Sequence, residues 1–129
     1  MNRRDLNQIY YYKQEIKMWE EERRRLKEES EVKSPSLDGM PRSQKISDPT
    51  GRKGVTLADI DIIIEDLEYR ALVKTKEIYE FMRDIDDSMM RQIIKYRCIE
   101  LLSWKRVAIK IGGGNTEDGV RMAFNRFFE

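Results

Sequence analysis

Histidine is absent from this 129-residue chain, and cysteine occurs once, as Cys98. Without histidine there is no imidazole acid–base catalysis, no Cys/His zinc site and no Ser-His-Asp triad. A single cysteine forms no intramolecular disulfide and suits a reducing, cytoplasmic setting. No apolar run approaches the roughly 20 residues that span a bilayer, so no membrane role is expected. Met1-Asn2-Arg3-Arg4-Asp5 leads into polar sequence rather than the apolar stretch of a signal peptide. Aromatics make up 9% and hydrophobics 40%, enough for a small core but not for a large enzyme interior. With no nucleophile–base pair to name, the expectation is a non-enzymatic protein without a cofactor.

What the chain has in quantity is charge, at 38% of residues, yet the net charge is only +1. Residues 55–87 hold ten acids against four bases, whereas residues 88–129 hold eight bases against four acids. Solvated helix faces are always charged, but that does not account for a basic excess confined to the last third. An acidic middle and a basic tail point to surfaces with different partners.

The periodicity is helical throughout. In residues 1–29, Ile9, Tyr12, Ile16, Trp19 and Leu26 form an a/d stripe with Arg23 in a skipped core slot, predicting one long helix over about 3–29. Residues 30–54 carry all three prolines and three of the seven glycines and read as a linker or long loop. Thr56 with Asp59 predicts a capping box, and Val55 with Ile60 a hydrophobic staple, for a second long helix to about Arg83. Ile60, Ile64, Leu67, Ala71, Ile78, Phe81 and Ile85 continue its apolar stripe, with Lys74 in one slot. Antiparallel pairing of the two helices would bring Arg23, Arg24 and Arg25 near Asp59 and Asp61. A coiled coil between chains would satisfy the same pattern, so a homodimer through these helices is also open.

In residues 88–129, Asp87 or Ser88 caps a helix of about Met89–Glu100, and Ser103 caps a short helix, Trp104–Ile111. Gly112-Gly113-Gly114 breaks the chain, and Asn115 or Thr116 caps a last helix to about Phe128, with Val120, Phe124 and Phe127 as its apolar face. The expected architecture is all-α: a long N-terminal helical hairpin or coiled coil, then a C-terminal tri-helical helix-turn-helix. On the last helix Arg121, Met122, Asn125 and Arg126 point away from the apolar stripe. Arginine and asparagine carry the forked donors and acceptors that match guanine and adenine edges in the major groove. Lys105, Arg106 and Lys110 lie on the preceding helix, which in such motifs crosses the phosphate backbone. The amides near Asn115 and Thr116 could hold a further phosphate, although Glu117 and Asp118 already complement that end and repel phosphate.

Ser103-Trp104-Lys105-Arg106-Val107-Ala108-Ile109-Lys110-Ile111-Gly112, followed by Asn115-Thr116-Glu117-Asp118-Gly119-Val120-Arg121, resembles region four of sigma factors, their C-terminal DNA-binding domain. More broadly the chain resembles small phage and prophage transcriptional regulators of the ArpU/RinA type, in the order of long charged helix, Gly39-Met40-Pro41-Arg42 loop, second helix and sigma-like tail. The resemblance implies control of phage late genes in a bacterial host by binding double-stranded DNA near a promoter, with RNA polymerase as a possible second partner. Gly114 departs from the tighter turn usual in sigma factors.

Other features read more simply. Asp84, Asp86 and Asp87 form an acidic cluster before a cap, and the three glycines form a turn without a Walker lysine. Cys98 belongs to a core, and Tyr10-Tyr11-Tyr12 offers an aromatic patch whose third member is in the stripe. The competing functional classes are a small terminase subunit that marks phage DNA for packaging, and a coiled-coil adaptor that binds only protein.

Overall fold

The computed structural model describes residues 1–33 and 54–129. The loop expected around the three prolines lies, for residues 34–53, outside the described residues. Every regular element that is described is helical: α1 (Arg3–Leu6), α2 (Gln8–Lys33), α3 (Leu57–Arg83), α4 (Ser88–Ile94), a π-helical turn (Lys95–Ile99), α5 (Trp104–Ile111) and α6 (Glu117–Phe127). Among the described residues no helix is long and apolar enough to cross a membrane.

The chain divides into two compact units, Met1–Lys13 with Arg70–Glu129, and Gln14–Tyr69. In the first, Leu6, Ile9, Ile78, Met82 and Ile85 share one buried cluster with Met90, Ile93, Ile94, Cys98, Val107, Val120 and Phe124. The start of α2 therefore buries its stripe beside the end of α3. Lys74 fills the polar slot of the α3 stripe; its ammonium reaches Glu77 at 3.0 Å, which holds its pKa above the ordinary lysine value. In the second unit Ile60 and Leu67 are buried, and Ile16, Trp19 and Leu26 are half-buried. There Arg23 Nε lies 2.9 Å from Asp61 Oδ1. Arg24 and Arg25 do not join it. They pair along their own helix, Arg24 with Glu21 and Glu28, Arg25 with Glu22 and Glu29. Acids three or four residues away on the same helix are within direct reach, so local pairing satisfies both arginines.

Local chemistry sets the helix starts. Thr56 N–H donates to Asp59 Oδ2 and Asp59 N–H to Thr56 Oγ1, each at 3.1 Å, the expected capping box. The Thr56 amide and hydroxyl hold the Asp59 carboxyl below the ordinary carboxylate range. A second box, Asn2 with Asp5, opens α1 at 2.9 and 3.1 Å and is absent from the sequence reading. Three boundaries differ from expectation, the first being that the helix expected unbroken over about 3–29 is interrupted at Asn7, between α1 and α2. The first long helix continues past residue 29 to Lys33, because Glu28-Glu29-Ser30-Glu31 holds no breaker before Pro35. Beyond Ile94 the helix widens into a π turn, with Glu100 N–H donating to the Lys95 carbonyl at 3.0 Å.

Candidate nucleic-acid interface

The tail is built from α4 with its π turn, α5 and α6. Asp87 caps α4 by accepting from the amides of Met89 and Met90. Met90, Ile93 and Ile94 fall on its buried side, and Cys98 on the π turn continues that surface at 2% exposure. Burial pushes the Cys98 thiol up to about 12, against the opposing charge of Arg97. Two residues beyond the π turn, Leu101 takes a left-handed φ of 61°. Arg97 secures this corner: its guanidinium donates to the Leu102 carbonyl at 2.9 Å and lies 4.5 Å from the centre of the Trp104 ring. Although basic and in the tail, Arg97 is committed to the fold.

Ser103 then caps α5, its hydroxyl accepting from the Arg106 amide. Val107 and Ala108 face the core, and Trp104 meets Phe124 of α6 edge-on at 5.3 Å. Gly112, Gly113 and Gly114 all have positive φ, so the turn uses glycine's freedom at three successive positions. Thr116, rather than Asn115, caps α6, accepting from the Gly119 amide at 3.0 Å. A Cβ at Gly119 would come within 3.0 Å of that hydroxyl, so glycine there leaves the cap undisturbed. Asn115 instead closes the turn, its side-chain amide donating to the Gly112 carbonyl at 2.8 Å.

Of the phosphate contacts expected from sequence, Lys105, Arg106 and Lys110 are exposed on α5. Lys110 Nζ lies 5.8 Å from the centre of the Tyr96 ring. Asn115 and Thr116 are exposed but already hold the turn and the cap. Of the base-facing set, Arg121, Met122, Asn125 and Arg126 fall, at about 3.6 residues per turn, on the arc away from Val120 and Phe124. Arg126 and Met122 are exposed, Met122 at 52%. Arg121 Nη2 pairs with Asp118 Oδ1 at 2.8 Å. Asn125 is half-buried and its Oδ1 accepts from Arg3 Nη1 at 2.9 Å. The tail thus brings the expected side chains onto two packed helices, with two of the four base-facing ones already engaged.

The apolar face of α6 needs correction. Val120 and Phe124 are buried, but Phe127 is 42% exposed, and Phe128 packs against the core in its place, 5.0 Å from Phe124 and 6.2 Å from Phe81. The helix ends at Phe127, and Phe128, with φ −103° and ψ 13°, leaves the helical phase that an i, i+4, i+7 count assumes. Ile109, which has no part in the expected interface, is 70% exposed. It sits between Arg106 and Lys110 on the outer side of α5, and its signal was an apolar residue out of phase with Val107, Ala108 and Ile111.

Other polar features lie apart from this face. Asp84 and Asp86 border an open groove of about 650 Å³ floored by Phe81, Ile85 and Phe128, an acidic setting unsuited to nucleic acid. Among the described residues no group of three or more acids or cysteines is placed to hold a metal ion. Tyr10 and Tyr11 are exposed and meet edge-on at 5.3 Å, while Tyr12 is half-buried in the α2 stripe. No family model, no curated protein and no solved structure matches this chain.

Proposed function

We propose that the protein is a site-specific, double-stranded-DNA-binding transcriptional regulator that docks α6 in the major groove with α5 against the phosphate backbone. The observation that carries this reading is the packed α5–glycine turn–α6 pair, whose outer residues include Lys105, Arg106 and Arg126, exposed and without an ion-pair partner among the described residues, and Lys110, exposed beside Glu100 and the Tyr96 ring. Unpaired cations attract phosphate without first breaking an internal bond. Met122 and Ile109 add apolar groups of the kind that touch thymine methyls. The Arg121–Asp118 pair is exposed, and such pairs contribute little, so Arg121 can exchange Asp118 for a base edge at small cost. By its resemblance to phage regulators the target would be a promoter region of late genes, with the acidic residues 59–87 suited to an Arg-rich protein surface such as one on RNA polymerase.

The test is a binding selection on fragments of the source genome, repeated across a salt series. The proposal expects one or two intergenic fragments retained at physiological salt. Failure to enrich any fragment over random DNA, even at low salt, would overturn it. A protein-only adaptor is the second reading, favoured by the engagement of Arg121 with Asp118 and of Asn125 with Arg3. It predicts no DNA affinity and no effect of Arg121→Ala.

A further inference from the structure

Helix α3 carries a second stripe, on the side away from its buried residues. Ile60, Leu67, Ala71 and Ile78 face inward, but Ile62, Tyr69, Leu72 and Tyr79 are 65%, 66%, 67% and 42% exposed. Their spacings are seven, three and seven. Filling the two intervening slots gives Ile62, Glu65, Tyr69, Leu72, Lys76 and Tyr79, a complete a/d run along about 27 Å of helix at 1.5 Å per residue. Lone exposed apolar residues are ordinary on a protein surface. Four at coiled-coil spacing on one helix form a seam of the kind that marks an interaction site. Glu65 and Lys76 are both exposed, and neither has an ion-pair partner among the described residues.

We propose that this seam docks the same helix of a second copy of the chain, in antiparallel register. The order of residues supplies the argument. Turned end for end about a point between Tyr69 and Leu72, the seam is complementary to itself. Ile62 meets the partner's Tyr79, Tyr69 meets the partner's Leu72, and Glu65 meets the partner's Lys76. Each dimer then contains four apolar layers and two layers in which opposite charges face each other. Within the span of the seam Glu68 lies beside the partner's Thr75 and Asp66 beside the partner's Val73, both neutral, while beyond its ends Glu80 lies beside the partner's Asp59. A parallel pairing does the reverse: it sets Glu65 against the partner's Glu65 and Lys76 against the partner's Lys76, like charges at core positions. Charge complementarity therefore selects both the occupant, a second copy, and its direction. This surface is independent of the α5–α6 face, and the inference does not rest on the DNA-binding reading.

The test is sedimentation velocity on the full-length chain across a concentration series. The wild type is expected to pass from monomer to dimer as concentration rises. Glu65→Lys alone and Lys76→Glu alone each create two like-charge layers per antiparallel dimer, and each should weaken dimerisation about tenfold or more. The double variant Glu65→Lys/Lys76→Glu, and an equimolar mixture of the two single variants, should both restore it. Leu72→Glu should give a monomer with unchanged far-UV circular dichroism, because this side chain is 67% exposed and lies outside the buried cluster of the described residues. A wild type that stays monomeric at every concentration would overturn the inference. So would a dimer indifferent to both single swaps, the behaviour of a parallel seam or a different surface, and so would a double variant that fails to recover.

Discussion

Arg97 illustrates how one basic side chain in a basic tail can belong to the fold rather than to a ligand. Leu101 holds a left-handed conformation that costs an L-residue about 1–2 kcal/mol, and Arg97 ties down the carbonyl that follows it while covering Trp104. Arg97→Ala should therefore destabilise the protein by about 2 kcal/mol, read as a lower thermal midpoint. Arg97→Lys should fall between, because lysine keeps the charge but not the planar stacking. The neighbouring Cys98 makes a pH-dependent prediction. Its folded pKa is raised to about 12 by burial, while an unfolded thiol ionises near about 8.5. The protonated thiol thus contributes fully to stability below about pH 8.5, and that contribution is lost as pH rises through 12. At pH 8 alkylation of Cys98 should track global unfolding. Rapid modification of the native protein would show that the thiol is not buried.

At the scale of single elements, what is legible in the sequence is what is decided within one turn of chain. The caps at Thr56, Asp87, Ser103 and Thr116 each depend on a short polar side chain and an amide two or three residues on, so spacing singles out Thr56 and Ser103 and narrows the other two to Asp87 or Ser88 and Asn115 or Thr116. Thr116→Ala should cost about 1 kcal/mol and fray the start of α6, seen as faster amide exchange at Gly119 and Val120. Helix ends and irregular turns are decided by packing, and there the sequence reading falls short. The π turn at Lys95–Ile99 leaves no periodic signature, and the choice of Phe128 over Phe127 depends on where α6 stops. Phe124→Ala should cost about 3–5 kcal/mol, as a nearly fully buried ring. Phe128→Ala should be clearly more damaging than Phe127→Ala, whose ring is 42% exposed. Equal losses would restore the original apolar face.

For the molecule as a whole, the all-helical architecture follows from stripes readable in the chain, and within the unit Gln14–Tyr69 Arg23 meets Asp61, one of the contacts expected of an antiparallel hairpin, whereas Arg24 and Arg25 pair along their own helix. The candidate interface is legible in part. The outward arc of α6 comes from helical phase, but the engagement of Asn125 by Arg3 joins residues 122 positions apart and has no local signal. The same holds for the α3 seam, since a second apolar stripe becomes conspicuous only once the first is known to be buried. The segregation of charge, acidic over residues 55–87 and basic over 88–129, sets apart two stretches of opposite sign, as the proposed function requires.

The measurement that bears most directly on DNA binding by the tail is a salt-series titration of wild type, Arg121→Ala and Lys105→Ala against a selected fragment and a scrambled one. The account predicts that Arg121→Ala loses about 1–3 kcal/mol on the selected fragment alone. Lys105→Ala should weaken both fragments alike and flatten the salt slope by about one. Equal losses from both variants on both fragments, or no binding by the wild type to either, would contradict it.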